Sequence, residues 1–146
     1  MAPKDMPNRI QEYCRETNQP VPENEGQIVR CIVESLALRY RLVVDDLERQ
    51  IGKDLKTIHM IGGGINNKLL CKYTANATGR KVVAGPVEAT AMGNLLMQGY
   101  ALGEIKNLSE LRKIVRASTP VEVYVPENRD AWELAYERFL KVTNCK

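Results

Sequence analysis

The run Ile58-His59-Met60-Ile61-Gly62-Gly63-Gly64-Ile65-Asn66-Asn67 decides how this chain folds. Thr57 to Ile61 read as a short buried strand, with His59 alternating inside it as a core or sheet-face histidine. The three glycines end the strand. Asn66 or Asn67 then opens a helix through Leu69, Leu70, Tyr73 and Ala77, which Gly79 stops. Glycine has no Cβ and tolerates positive φ, so a phosphate, ribose or base edge can lie against the main chain there. The helix that follows offers free N–H groups and a positive dipole end. A tight turn without a ligand needs only one glycine. Three in succession favour a nucleotide.

Working outward, Lys81-Val82-Val83-Ala84 is a second short strand, broken by Gly85-Pro86, and Val87 to Leu102 form a helix with Gly103 behind it. Upstream, Val29, Val33, Leu36, Tyr40, Val43 and Leu47 recur in steps of three and four between Gly26 and Gln50, and Gly52 closes the run. Ile28, Ile32, Leu38 and Leu42 widen the apolar surface, so this helix is expected to be contacted on two sides by core packing rather than to form a coiled coil. Asp5 is placed as the N-cap of a helix through Ile10, Tyr13 and Cys14, ending near Asn18, and Gln19-Pro20-Val21-Pro22 is extended. Asn107 and Glu110 form a capping box for a helix to about Ala117. Val121, Val123 and Val125 alternate like a strand. Asn128 caps a last helix whose apolar face uses Ala131, Trp132, Leu134, Ala135, Phe139 and Leu140. The alternation of helices with strands Thr57-Ile61 and Lys81-Ala84 predicts an α/β fold with a thin, parallel sheet and right-handed crossovers.

Composition excludes several classes. The chain has 146 residues, enough for one core, and its 21 basic and 18 acidic residues leave a charge of only +3. No Lys/Arg cluster with interleaved aromatics suggests a nucleic-acid partner. No apolar stretch is long enough for a membrane span, and the start Met-Ala-Pro-Lys-Asp lacks a secretory run, so a cytoplasmic protein is expected. Cys14, Cys31, Cys71 and Cys145 contain no CxxC pair, and His59 is the single histidine. That set does not build a zinc site, so reduced thiols and no metal ligands are expected.

Two familiar nucleotide loops fail on the residues. Asn67 stands where a dinucleotide fingerprint needs its third glycine, and Val83-Ala84-Gly85 where the ribose-binding acid should close the next strand. Lys68 is followed by Leu69, so the phosphate loop Gly-Lys-Ser/Thr is absent as well.

A third pattern fits. Ile61-Gly62-Gly63-Gly64-Ile65-Asn66-Asn67-Lys68-Leu69-Leu70, followed by Gly85-Pro86-Val87-Glu88-Ala89-Thr90-Ala91-Met92-Gly93-Asn94, resembles the C-terminal domain of the FGGY carbohydrate kinases. Ile10 to Thr17, Pro20-Val21-Pro22 and Glu34 to Arg41 look most like the rhamnulokinase branch of that family. The likeness runs from about Asp5 to Ala117.

The resemblance implies part of an actin-like, ribonuclease-H-like ATPase domain, with ATP on the C-terminal domain and its γ-phosphoryl passed to a sugar hydroxyl. The rhamnulokinase branch implies L-rhamnulose as the ketose acceptor; xylulose-, glycerol- or gluconate-type kinases are the neighbouring alternatives. By position, Gly62, Gly63 and Gly64 would seat adenine and ribose on the backbone. Asn67 would offer its amide to adenine, serve as an N-cap, or do both. Glu88 is read as a helix-dipole partner rather than a base or magnesium ligand, and Ala89, Ala91 and Gly93 as small residues permitting close packing.

Sugar phosphorylation also needs an aspartate base, Mg2+ and a clamp on the β- and γ-phosphates. The family draws these from its N-terminal domain and from the opening hairpin of its C-terminal domain. None of Asp5, Asp45, Asp46, Asp54 and Asp130 matches the base, so no catalytic residue is assigned. Residues 1–146 are thus expected to form a single unit: the back portion of the ATP-binding domain, inactive alone and prone to self-association through surfaces the rest would cover. A free-standing nucleotide-sensing or interaction module is the alternative from another class.

Overall fold

In a computed structural model, residues 5–143 are described. The elements are α1 (Met6–Glu16), α2 (Glu25–Ile51), β1 (Thr57–Met60), a 3-10 turn (Gly63–Asn66), α3 (Lys68–Thr78), β2 (Lys81–Ala84), α4 (Ala89–Ala101), α5 (Leu108–Ser118), β3 (Glu122–Tyr124) and α6 (Arg129–Thr143). Cys145 lies outside the described residues.

The sheet has the order β1-β2-β3. β1 and β2 pair in parallel from Thr57 with Lys81 to Met60 with Ala84, joined by the α3 crossover. β3 adds an antiparallel edge, Val83 opposite Val123. The expected parallel pair is therefore present, with β1 ending at Met60, one residue short of Ile61. Its burial differs from expectation, because β1 is an edge strand: His59 is exposed, and Ile61 is exposed just beyond it. The alternating Val121, Val123 and Val125 also face outward, while Tyr124 on the other side packs on the sheet's core.

Two buried clusters hold the layers together. Ala37, Leu38 and Leu42 of α2 meet Ala77 of α3 and Tyr136 of α6, with Tyr73 and Trp132 packed alongside at a ring separation of 5.2 Å. Cys71, Ala75, Val82 and Ala84 form the second cluster, between α3 and the sheet. Leu134 of α6, placed on the apolar face by spacing, is exposed, and Tyr136 is the buried residue instead. One face of α2 meets α3 and α6. The other leaves Val29, Ile32, Leu36, Tyr40, Val43, Leu47 and Ile51 exposed, and the described residues approach it near Ile32 and Leu36, where α1 lies alongside. No residue of the apolar helix α4 is buried either. A Cβ at Gly93 would meet nothing within 4 Å, so the close packing expected of Ala89, Ala91 and Gly93 is also not made among the described residues.

Helix ends follow local chemistry in most places. Asn24, Asn67 and Asn107 each accept from the N–H three residues on, at 3.0 Å in all three cases. Gly52 and Gly79 terminate α2 and α3. Glu110 returns its carboxylate to the Lys106 N–H, completing the expected box one residue early. Asp5 is the exception. It sits at the N-cap with φ 58° and makes no capping bond, its carboxylate accepting instead from the Asn8 amide at 2.5 Å.

A charge cluster ties α2 to the chain entering β2. The Arg80 guanidinium reaches Asp45 at 3.1 Å and Glu48 at 2.5 Å, and donates to the Leu55 and Thr78 carbonyls. Arg41 extends the cluster to Glu133 of α6 at 2.6 Å and lies 4.0 Å from the centre of the Tyr136 ring. The hydrogen bond from Arg80, then that from the Leu55 N–H, holds the Glu48 carboxyl below the ordinary carboxylate range. Arg41 does the same to Glu133. Carboxyls depressed by folding stabilise the fold above their unfolded pKa, near 4.5, and lose that contribution as pH falls through the folded value. Melting temperature should therefore hold steady between pH 7 and about 5, then drop. Arg80→Met should lower it by roughly 10 °C at pH 7 and flatten the acid limb, as read by circular dichroism.

Candidate functional site

The ends of the two parallel strands come together, because Met60 is in register with Ala84. There the Gly85 N–H donates to the Met60 carbonyl at 2.9 Å, and the Gly62 N–H donates to the Pro86 carbonyl at 3.1 Å. These two bonds lock the glycine turn to the loop after β2, a role the sequence disguises as a simple chain break at Gly85-Pro86. The Gly85–Pro86 peptide is cis.

The glycines divide by physical role. Gly62 has φ 82°, a conformation that L side chains resist. Gly85 has φ 136°, and a Cβ there would fall 3.1 Å from both the Pro120 carbonyl oxygen and Val121 Cγ1. Gly63 and Gly64 differ, since both lie in the 3-10 turn, outside the positive-φ region. A Cβ at either would meet nothing within 4 Å. No packing within the described chain requires glycine at these two positions. Their backbone faces outward and bare, at the carboxyl end of a parallel strand and the start of a helix, where ligands of open α/β sheets bind.

Asn67 heads α3 directly behind the turn. Its Oδ1 accepts from the Leu70 N–H at 3.0 Å, so the capping reading is the one visible in the fold. The side chain is exposed, leaving the Nδ2 end as its donor arm. Beneath the turn, the buried Cys71 thiol donates to the Ile65 carbonyl at 3.6 Å. Burial pushes that thiol's pKa up, so it stays protonated and serves packing.

One charged group beside the turn escaped sequence reasoning. Lys68, the first residue of α3, pairs with Glu122 of β3 at 2.7 Å, and Glu122 also accepts from the Tyr124 hydroxyl. Lys68 first and Tyr124 second hold Glu122 below the ordinary carboxylate range, while the Tyr124 phenol is pushed up to about 12. Lys68 is raised by the same partner. The pair spans 54 positions of sequence, and no local spacing reveals it.

A cavity of 530 Å³ opens beside Gly64, between α2 and β1. Val43, Ile58, Met60 and Ile65 make it apolar, and it runs into the exposed stripe of α2. It has the character of a core lacking its cover. Glu88 precedes α4 at the N-cap and makes no capping bond with its side chain. Among the described residues, no three His, Cys, Asp or Glu side chains group to hold a metal, and no helix is long and apolar enough to cross a membrane.

The C-terminal domain of the FGGY family of carbohydrate kinases matches residues 1–102. A rhamnulokinase of Bacteroides thetaiotaomicron is 50% identical over 143 residues, covering 98% of this chain and 29% of that protein. A rhamnulokinase of Bacillus subtilis is 43% identical over 130 residues, covering 89% of the chain and 27% of that protein. Plasmodium falciparum glycerol kinase with ADP superposes with a TM-score of 0.68 at 19% identity, over 81% of this chain and 24% of that one. The fold is thus part of an actin-like ATPase domain, and the chain spans less than a third of its relatives' length.

The division among the glycines has a direct consequence. Gly63→Ala and Gly64→Ala should leave the melting temperature within about 2 °C of the parent. Gly85→Ala should lower it by at least roughly 5 °C, through strain and the clash with Pro120. Differential scanning calorimetry of the three variants reads both effects.

Proposed function

Because the chain belongs to the FGGY family of carbohydrate kinases, we propose that it supplies the adenosine-binding turn of an ATP-dependent sugar kinase acting in the cytoplasm. The observation that carries this reading is the bare backbone of Gly63 and Gly64 at the carboxyl end of β1, where the fold itself makes no demand for glycine. Adenine and ribose would rest on Gly62, Gly63 and Gly64, with the Asn67 amide donating to the base while its oxygen caps α3. A ligand of that shape suits a turn whose nearby charge, Lys68, is already neutralised by Glu122, because an adenosine carries no charge for it to pair.

The acceptor in this reading is L-rhamnulose, phosphorylated to its 1-phosphate, and it rests on the identity to rhamnulokinases. Mg2+, the clamp on the β- and γ-phosphates and the aspartate that takes the hydroxyl proton would come from parts of the kinase beyond these residues. When bound, ATP supplies the γ-phosphoryl group; this chain's own residues bind and orient its nucleoside end. The uncovered α2 stripe, the apolar cavity beside it and the exposed face of α4 support a portion of a larger domain.

Calorimetric titration with ADP tests the site. Asn67→Asp keeps an acceptor for the Leu70 N–H but removes the amide donor, so it should retain the melting temperature and weaken ADP about 5- to 10-fold. Asn67→Ala should lose both, its stability falling by about 1 kcal/mol. Equal ADP affinity in parent and Asn67→Asp would confine Asn67 to capping. The chain mixed with ATP and L-rhamnulose should show no turnover, and sugar phosphorylation by it would contradict the assignment as a partial site. In sedimentation at micromolar concentration it should associate through its open apolar faces; a strict monomer would count against that.

A further inference from the structure

Away from the glycine turn, three helices enclose a space of a different kind. Met6, Arg9, Ile10 and Tyr13 recur at helical spacing and share one face of α1. Ile32, Leu36 and Arg39 do the same on α2. With Phe139 and Val142 of α6, these two faces line a cavity of 630 Å³. Its polar neighbours are largely turned to partners of their own. The Tyr13 hydroxyl donates to the Val142 carbonyl at 3.1 Å, the Thr143 hydroxyl to the Phe139 carbonyl at 2.8 Å, and the Gln19 amide to the Thr17 hydroxyl oxygen at 2.8 Å. Water in such a space finds few partners, whereas a hydrocarbon chain finds apolar walls on all three helices.

The charge is one-sided. Arg9 and Arg39 are the charged side chains among the described residues lining the cavity, and no Asp or Glu joins them. An amphipathic helix ordinarily carries its charges opposite the apolar face; here each apolar face carries a guanidinium within it. Both arginines are exposed, so their stems extend the apolar wall while their heads stay at its edge. The neighbouring cavity of 450 Å³ differs, because Glu34 lines it and pairs with Arg30 at 2.7 Å.

We propose that the 630 Å³ cavity binds the free anion of a medium-chain fatty acid, its tail against Ile10, Leu36 and Phe139 and its carboxylate on Arg9 and Arg39. A guanidinium has five N–H donors in a fixed fork, so an arginine holds a carboxylate and keeps another contact as well. The ligand bridges α1 to α2 and α6, so binding stabilises the docking of α1. The site shares no residue with the glycine turn and stands independently of the nucleotide reading.

Calorimetric titration of the full chain with decanoate, kept below its micelle-forming concentration at neutral pH, tests the site. Binding should be saturable and raise the melting temperature by a few degrees. Octanoate, two methylenes shorter, should bind about 10-fold more weakly. Decanol, with the tail but no charge, should bind about 5- to 10-fold more weakly than decanoate. Arg9→Gln, its helix content checked by circular dichroism, should weaken decanoate about 5-fold and leave decanol unchanged, while Arg9→Lys keeps most of the affinity. Arg39 also lines the apolar cavity beside Gly64 but Arg9 does not, so the Arg9 variants locate the ligand. Decanol binding as tightly as decanoate, unchanged decanoate affinity in Arg9→Gln, uptake that never saturates, or no binding would each overturn the proposal.

Discussion

Everything at the candidate site depends on the parallel pairing of two four-residue strands. A parallel pair cannot be closed by a hairpin, so the chain must cross over, and α3 is that crossover. The crossover forces a turn at the end of β1, and the register of Met60 with Ala84 brings Gly85-Pro86 beside it. The two backbone bonds, Gly85 to Met60 and Gly62 to Pro86, then fix the turn's height above the sheet. Gly63 and Gly64 face outward because Gly62 has already taken the turn in its left-handed conformation. The proposed nucleoside seat is thus a by-product of strand register, built by backbone with little help from side chains.

The same geometry explains how much was legible in the sequence. Helix limits were readable wherever a local donor or acceptor sets them, as at Asn67, Asn107, Gly52 and Gly79, because the partner lies within a few residues. Asp5 stands at the N-cap position its spacing indicates but makes no cap bond, because its carboxylate takes the Asn8 side chain as partner in place of the backbone. The spacing from Val29 to Leu47 marks a helix, yet periodicity reports only that a face is apolar and not what covers it. His59 and the valines of β3 show the same limit on a sheet, where alternation separates two faces without saying which is buried. The resemblance to the kinases is legible from the glycine run and from Gly85 to Asn94, where backbone geometry dictates glycine at Gly62 and Gly85 but not at Gly63, Gly64 or Gly93.

What escaped the sequence are the long-range pairs. Arg80 with Asp45 and Glu48, Arg41 with Glu133, and Lys68 with Glu122 join positions at least 32 apart. Charged residues are common, and no local pattern marks which ones meet. Through Arg80, the chain entering β2 is anchored to α2, so this cluster stabilises the strand that carries Gly85.

The central claim is that the bare turn seats the adenosine of a nucleotide. Amide chemical shifts recorded by NMR during ADP addition test it most directly, because the proposed contacts are made by backbone. The account predicts saturable shifts at Gly62, Gly63, Gly64, Asn67 and Lys68, with the α6 amides unmoved. Shifts confined to other elements, or none at millimolar ADP, would contradict it.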